Sequence, residues 1–497
     1  MEIYSSVIPF YAVMVSLAAA PLIVMSSRHA NLREFWTVAA SIIKFILVFL
    51  LLPGVLTGRI AEFTFWELSP GIALSLKADP FGVFFALIAS GLWILTSIYS
   101  IGYVRGLAEH KQTRYFASFA VCLSATIGIA FAANLLTFVI FYEILTIATY
   151  PLVIHKETKV AIAAGRKYLI YTLTAGVLLI AATAWTYRIT GTLDFRAGGI
   201  FGNASFSPAA MTILFLLFMG GVGVKATIMP LHSWLPAAMV APTPVSALLH
   251  AVAVVKSGVF GVIRVVGFVF GPELMHQFGL NTLLAIFAGV TIILASLLAF
   301  RQDNLKHRLA YSTVGHLSYT VLGAALLSPA SLTGGLMHIT NHATMKITLF
   351  FCAGAIYVKH HKEKISELDG IGRVMPWTMG AFTVGAIGLA GIPPMNGFVS
   401  KWQLGLGSLQ AGEILPLVIL VLSGLLNAGY FAPIIYRAFL KKPAVPYEQG
   451  EATPAMVAPI VITALLSLLL GLNPDMFFHF YRLAATVSGN ILGGIAP

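Results

Sequence analysis

Charge is scarce in this chain of 497 residues: Asp, Glu, Lys and Arg together make up 10%, against about 25% in an ordinary soluble domain. With 58% hydrophobic residues and a mean hydropathy of +0.90, that excludes a soluble globular protein. Cysteine is scarcer still. Cys122 and Cys352 are the only two and both lie in apolar runs, which excludes a disulfide scaffold, a zinc ribbon and an iron–sulfur centre. Neither GxxxxGK[ST] nor GxGxxG occurs, so nothing signals nucleotide chemistry, and HExxH is missing too. Long polar linkers are also lacking. The length alone suggests about three domains, but the chain reads as one bundle.

What is there is apolar sequence in bilayer-length pieces. A helical crossing needs about 20 apolar residues, and such runs fall near 6–27, 34–57, 80–103, 115–132, 134–154, 167–187, 207–229, 245–268, 279–300, 309–327, 331–358, 376–401, 411–436 and 454–472. This predicts an all-α polytopic membrane protein with about fourteen transmembrane helices. A further amphipathic stretch at 475–493, with Phe477, Phe478, Phe480 and Tyr481, is expected in the interface or as an extra crossing. The first run is preceded by Glu2 and no positive charge, unlike a cleaved leader, so it is expected to stay in the protein.

The net charge of +12 would fit nucleic acid, yet no basic cluster is interleaved with aromatics. It works instead as a topology signal. Lys and Arg in alternate loops divide nineteen to four, the larger set including Arg28, Arg105, Lys156, Arg301, Lys359 and Lys441, the smaller being Arg59, Lys77, Arg188 and Arg196. The richer side is expected in the cytoplasm, which puts both ends of a fourteen-span chain outside.

Six cations are left in or at the ends of apolar runs: Lys44, Lys225, Lys256, Arg264, Lys346 and Lys401. Of the acidic residues only Glu143 lies centrally in such a run. A charge there costs about 3 kcal/mol or more, so Glu143 needs a nearby cation, Lys225 or Lys256, or stays protonated. Lys44 has no ionisable neighbour in sequence and reads as structural; Arg264, near the end of its run, is expected to snorkel. His338, His342 and Lys346 are spaced by four and share one helical stripe. His250 and His316 can extend a chain of proton carriers, since neutral histidine both donates and accepts. No metal site and no cofactor are expected.

Two runs carry helix breakers beside a lysine. Pro230 and Pro236 follow Lys225, and Pro393 and Pro394 precede Lys401. Proline frees a carbonyl and kinks a helix, and broken spans in corresponding positions of two halves point to a transporter's ion site. The reading is two five-helix repeats, each with a broken fourth helix, inverted relative to one another. The expected organisation is N-terminal helices over 1–110, repeats over 111–270 and 271–440, and a last helix and tail over 441–497.

The run GVKATIMPLHSWLPAAMVAPTPVSALLHAVAVVKSGVF, with YFASFAVCLSATIGIAFAANLLTFVIFYEILTIATYPLV, LKHRLAYSTVGHLSY and GLAGIPPMNGFVSKW, resembles the proton-translocating, antiporter-like membrane subunits shared by respiratory complex I, Mrp-type sodium/proton antiporters and membrane-bound hydrogenases. The resemblance covers about residues 75–440. It implies that Glu143 and Lys225 match the family's glutamate–lysine pair, Lys256 its next buried lysine and Lys401 its terminal lysine, with His338 and His342 in the connection between halves. Length and motif spelling are most similar to the D-type Mrp protein, with complex I and hydrogenase paralogues close behind.

The resemblance implies a proton-translocating subunit of a hetero-oligomeric antiporter in the cell membrane, partnered by other membrane subunits and lipid. Sodium needs several clustered oxygen ligands and Glu143 is the one central carboxylate, so any sodium is expected to pass through another subunit. A pumping subunit of a redox-driven complex and a non-transporting scaffold are the alternatives. A free-standing quinone oxidoreductase would have to find its electron carriers in neighbours, so oxidoreductase activity would belong to partner subunits.

Overall fold

The computed structural model describes residues 2–69, 72–202, 207–443 and 447–493, and for Leu249 and His250 the backbone alone. Its helices are α1 (Ile8–Met25), α2 (Ala30–Phe49), α3 (Leu52–Leu56), α4 (Pro80–Gly106), α5 (Gln112–Phe131), α6 (Leu135–Val153), α7 (Lys159–Thr190), α8 (Pro208–Ala226), α9 (Trp234–Ala237), α10 (Thr243–Ala247), α11 (Val254–Arg264), α12 (Pro272–Gln277), α13 (Leu280–Phe300), α14 (Leu305–Leu326), α15 (Pro329–His360), α16 (Pro376–Ala390), α17 (Asn396–Gln410), α18 (Ile414–Leu440), α19 (Pro454–Leu472) and α20 (Phe480–Ile491). Their starts are written in the sequence. Asp79, Asn134, Thr158, Ser207, Asn304 and Ser328 each cap the next helix by accepting a backbone N–H of its first turn, satisfying donors that a helix start leaves free.

Among the described residues ten helices are long and apolar enough to cross a bilayer. The expected runs at 245–268, 309–327, 331–358 and 376–401 fall short of that for two physical reasons. The first and last are broken, into α10 and α11 joined by π-turns and into α16 and α17. The other two, α14 and α15, are long enough but rich in Ser, Thr, Asn, His and Lys. From Ala330 to Ile356 every residue of α15 is buried. A helix that no lipid touches has no need of an apolar surface, and these four segments carry Lys256, His316, His338, His342, Lys346 and Lys401.

Two features depart from a purely helical reading. Strand β1 (Glu2–Ser5) pairs parallel with β2 (Arg59–Ser69), which pairs antiparallel with β3 (Ile72–Ala78), so the segment between the second and third runs is a sheet and not a loop. The terminal stretch forms α20, whose Phe480, Leu483, Ala484, Val487 and Ile491 are buried. Its 12 residues make about 18 Å of helix, short of a hydrocarbon core of about 30 Å, so it is not an extra crossing.

Candidate functional site

The breaks expose backbone that side chains then use. Helix α16 ends at Ala390, where Gly391 takes φ +88°, a conformation glycine adopts without strain. The carbonyls of Leu389 and Ala390, at a helix C-terminus with no intrahelical partner, accept from Lys401 Nζ at 2.7 and 2.9 Å. A cation on the negative end of a helix dipole is well placed. In the first half α8 ends at Ala226, ahead of Pro230, and Pro236 sits within the single turn of α9. Pro393 and Pro394 lie in the turn between α16 and α17.

Lys401 opens onto a buried network. Asn427 on α18 donates to Leu389 O (3.3 Å) and to His316 Nε2 (3.1 Å), and accepts from Tyr430 Oη (2.5 Å). These bonds fix the histidine tautomers. Since His316 Nε2 accepts, its Nδ1 carries the hydrogen and donates to His338 Nε2 at 3.1 Å. His338 Nδ1 in turn donates to Ser400 Oγ at 2.9 Å, and that hydroxyl donates to Gly397 O. Upstream, Tyr430 gives its one hydrogen to Asn427, so Ser312 Oγ donates to Tyr430 Oη (2.8 Å) and accepts from Lys346 Nζ (2.8 Å). Every donor in this series faces the same way.

A branch reaches the first half. Lys256 Nζ lies 2.9 Å from His342 Nδ1, and the His342 ring stacks on His316 with centroids 5.4 Å apart. His342 Nε2 is buried without a hydrogen-bond partner. Two helices approach closely here: a side chain at Gly258 on α11 would collide with the backbone of Lys225 and Ala226 on α8. The structure thus brings Lys256, His316, His338, His342, Lys346 and Lys401 into one buried neighbourhood. The His250 side chain lies outside what it describes.

Glu143 and Lys225 are not in ion-pair contact. Lys225 Nζ is held by Tyr142 O at 2.6 Å and sits 3.4 Å from the centroid of the Tyr142 ring. The Glu143 side chain points the other way, against Gly176 of α7, with Oε1 buried and unpartnered. Adjacent residues on a helix diverge by about 100°, and the amine has taken the Tyr142 side. Among the described residues no carboxylate is within salt-bridge distance of Lys44, Lys225, Lys256, Lys346 or Lys401. Carbonyls, hydroxyls and rings hold these amines instead.

Arg264 corrects the snorkelling expectation. Its side chain is 2% exposed and makes a bidentate pair with Asp79 at 2.6 and 2.8 Å, among the rings of Phe81, Phe195, Phe260 and Phe268. Asp79 also caps α4 through Gly82 N at 2.7 Å, so the carboxylate is stabilised by a helix start as well as by the guanidinium. Lys44 fits the structural reading: it bonds Ser16 Oγ (2.5 Å) and Leu123 O (3.1 Å), tying α2 to α1 and α5.

Sequence reading missed Asn427, Tyr430, Ser312 and Ser400. Ser312 and Ser400 are one hydroxyl among many in such helices and carried no signal. Asn427 did, as a buried amide in an apolar run.

A polytopic helical bundle whose central helices carry a hydrogen-bonded lysine–histidine axis is the architecture of an ion-translocating membrane protein. Residues 132–427 match the model of the family described as NADH:quinone oxidoreductase/Mrp antiporter, transmembrane. The chain is 30% identical to the N-type NADH-quinone oxidoreductase protein of Desulforudis audaxviator, over 81% of this chain and 83% of that one. To the D-type Na(+)/H(+) antiporter protein of Bacillus subtilis it is 26% identical, over 95% of each. A chain in the solved Mrp complex of a Dietzia species superposes with a TM-score of 0.88 at 21% identity, over 99% of this chain and 98% of that one. This chain belongs to the NADH:quinone oxidoreductase/Mrp antiporter transmembrane family, and the matched segment contains the lysines and histidines of the axis and Asn427, with Tyr430 just beyond its end.

Proposed function

We propose that the chain is the proton-translocating subunit of a multi-subunit cation/proton antiporter, of the D type found in Mrp systems. The buried axis from Lys256 through His342 and His316 to Asn427, Leu389 O and Lys401 carries the reading. A proton on Lys256 passes to His342 Nδ1 across 2.9 Å. To hand on its Nε2 proton, which has no partner in the present arrangement, the His342 ring has to turn toward His316, and beyond the Asn427 amide Lys401 waits at the second break on the carbonyls of α16. Lys225 and Glu143 set the charge at the entrance. Displacing Lys225 from Tyr142 toward Glu143 would change the field felt by Lys256, because opposite charges favour and like charges disfavour a proton on a buried amine.

The repeats at 111–270 and 271–440 are the framework for two half-pathways, with helices over 1–110 and the last helix and tail as flanks. Helix interruptions after Lys225 and before Lys401 support that division. The nineteen-to-four loop charges support a cell-membrane protein with both ends outside. The antiporter relative aligned over 95% of both chains supports the D-type reading over the scaffold, and other membrane subunits are the expected partners. The likeness to the N-type oxidoreductase protein supports a second reading, a pumping subunit of a redox-driven complex.

The test is proton flux in vesicles holding the intact complex. Lys256→Ala and Glu143→Gln should lower it strongly while the complex still assembles; unchanged flux in both would sink the reading. Mass spectrometry of what co-purifies in mild detergent separates the two assignments. Membrane subunits alone support the antiporter, and flavin or iron–sulfur proteins support the redox complex.

A further inference from the structure

The loop after α4 and the loop after α6 meet at one end of the bundle. Glu109 and His110 come from the first and His155 from the second. Glu109 Oε2 lies 3.7 Å from His155 Nε2 and 4.0 Å from His110 Nδ1, and the two imidazoles stack with centroids 5.0 Å apart. One ligand atom from each residue falls within 4.8 Å of the others, which no other group of three His, Cys, Asp or Glu achieves among the described residues.

Packing alone does not explain this arrangement. His155 is 1% exposed, yet neither ring nitrogen has a hydrogen-bond partner. An imidazole offers a donor and an acceptor, and leaving buried polar atoms unmatched costs about 1–3 kcal/mol each. The ring edge of Tyr115 packs on it from one side, and its Nε2 faces Glu109 at a distance too long for a hydrogen bond. The nearby cations are already engaged: Lys111 and Arg114 pair with Glu157 at 2.7 and 2.6 Å. Glu109 has no Lys or Arg of the described residues within ion-pair distance. His110 is exposed, so the group has an open side.

We propose that Glu109, His110 and His155 bind a divalent transition-metal cation, zinc(II) by the donor set, through two imidazole nitrogens and one carboxylate oxygen. Zinc takes His and carboxylate ligands at about 2.0–2.2 Å in a tetrahedron, which puts donors about 3.4 Å apart. The present separations close to that with a shift of about an ångström in two loop side chains, and water takes the fourth position. The ion ties the end of α4 to the end of α6. It is separate from the lysine–histidine axis and does not depend on the transport reading.

The test uses the full chain in its complex, stripped with a chelator and titrated with zinc chloride by calorimetry, with metal content read by mass spectrometry. One zinc per chain is expected, weakened at least about tenfold by His110→Ala or Glu109→Gln and unaffected by His29→Ala, an exposed histidine elsewhere. Cobalt(II) at the same site should give tetrahedral visible absorption that His110→Ala abolishes. His110 is exposed, so its loss leaves the fold intact even where His155→Ala does not. Zinc binding of unchanged strength in both His110→Ala and Glu109→Gln overturns the proposal, as does the absence of stoichiometric binding in the unmodified chain.

Discussion

Replacing Asn427 by leucine separates the axis from the packing around it. Leucine has the same branched four-atom skeleton but is bulkier, and Asn427 is 1% exposed, so the change removes three hydrogen bonds and adds some crowding. Tyr430 keeps Ser312, and Leu389 O keeps Lys401. His316 Nε2 alone is left buried with no partner, at about 1–3 kcal/mol, which should appear as a lower unfolding temperature. The lost bond also fixed the ring's tautomer. A neutral hydrogen bond is worth about 0.5–1.5 kcal/mol, and about 1.4 kcal/mol is tenfold in rate, so proton flux should fall about two- to tenfold. Quenching of a pH-sensitive dye in vesicles holding the intact complex measures it. Normal assembly with unchanged flux would refute the role given to the Asn427–His316 bond.

Asp79→Asn keeps the cap on α4 but strands Arg264 among four phenylalanines, and should cost about 3–5 kcal/mol; adding Arg264→Leu should restore most of that, and thermal unfolding of the two variants compares them. Gly258→Ala should push α11 away from α8 at Lys225 and destabilise by about 1–3 kcal/mol, with lower flux than the stability loss alone explains; an unaltered melting curve would contradict the contact. Hydrogen bonds from Lys111 and Arg114 lower the Glu157 carboxyl to about 2. Because its folded value is depressed, its contribution to stability is present above about 4.5 and is lost as pH falls toward 2. Glu157→Gln should flatten that part of the stability curve, and an identical slope in the variant would count against the pairing.

The membrane character and the position of the buried cations were legible because both depend on composition along the chain. Apolar runs locate helices, and each lysine expected inside one is there. Geometry across the chain was not legible. Whether Lys225 turns toward Glu143 or toward Tyr142 depends on where the preceding carbonyl lies, which no local pattern encodes. Arg264 looked like a surface residue because its partner, Asp79, is 185 positions away. The sheet escaped because its strands, of 4, 11 and 7 residues, are flanked by far longer apolar runs. Glu109, His110 and His155 drew no notice since two loops had to meet before they formed a group.

The tautomer order of His316 and His338 has a consequence for timing. On the proposed reading, a proton delivered to His316 Nε2, which requires the Asn427 amide to swing aside, and released from Nδ1 to His338 and on to Ser400 leaves each ring with its hydrogen on the opposite nitrogen. His316 Nε2–H then confronts the amide N–H of Asn427, donor against donor. Nothing further can pass until the rings or the amide turn over. On the transport reading proposed above, the pair would act as a turnstile, admitting one charge per rotation, and each cycle would have to include a side-chain turn inside a packed helix bundle.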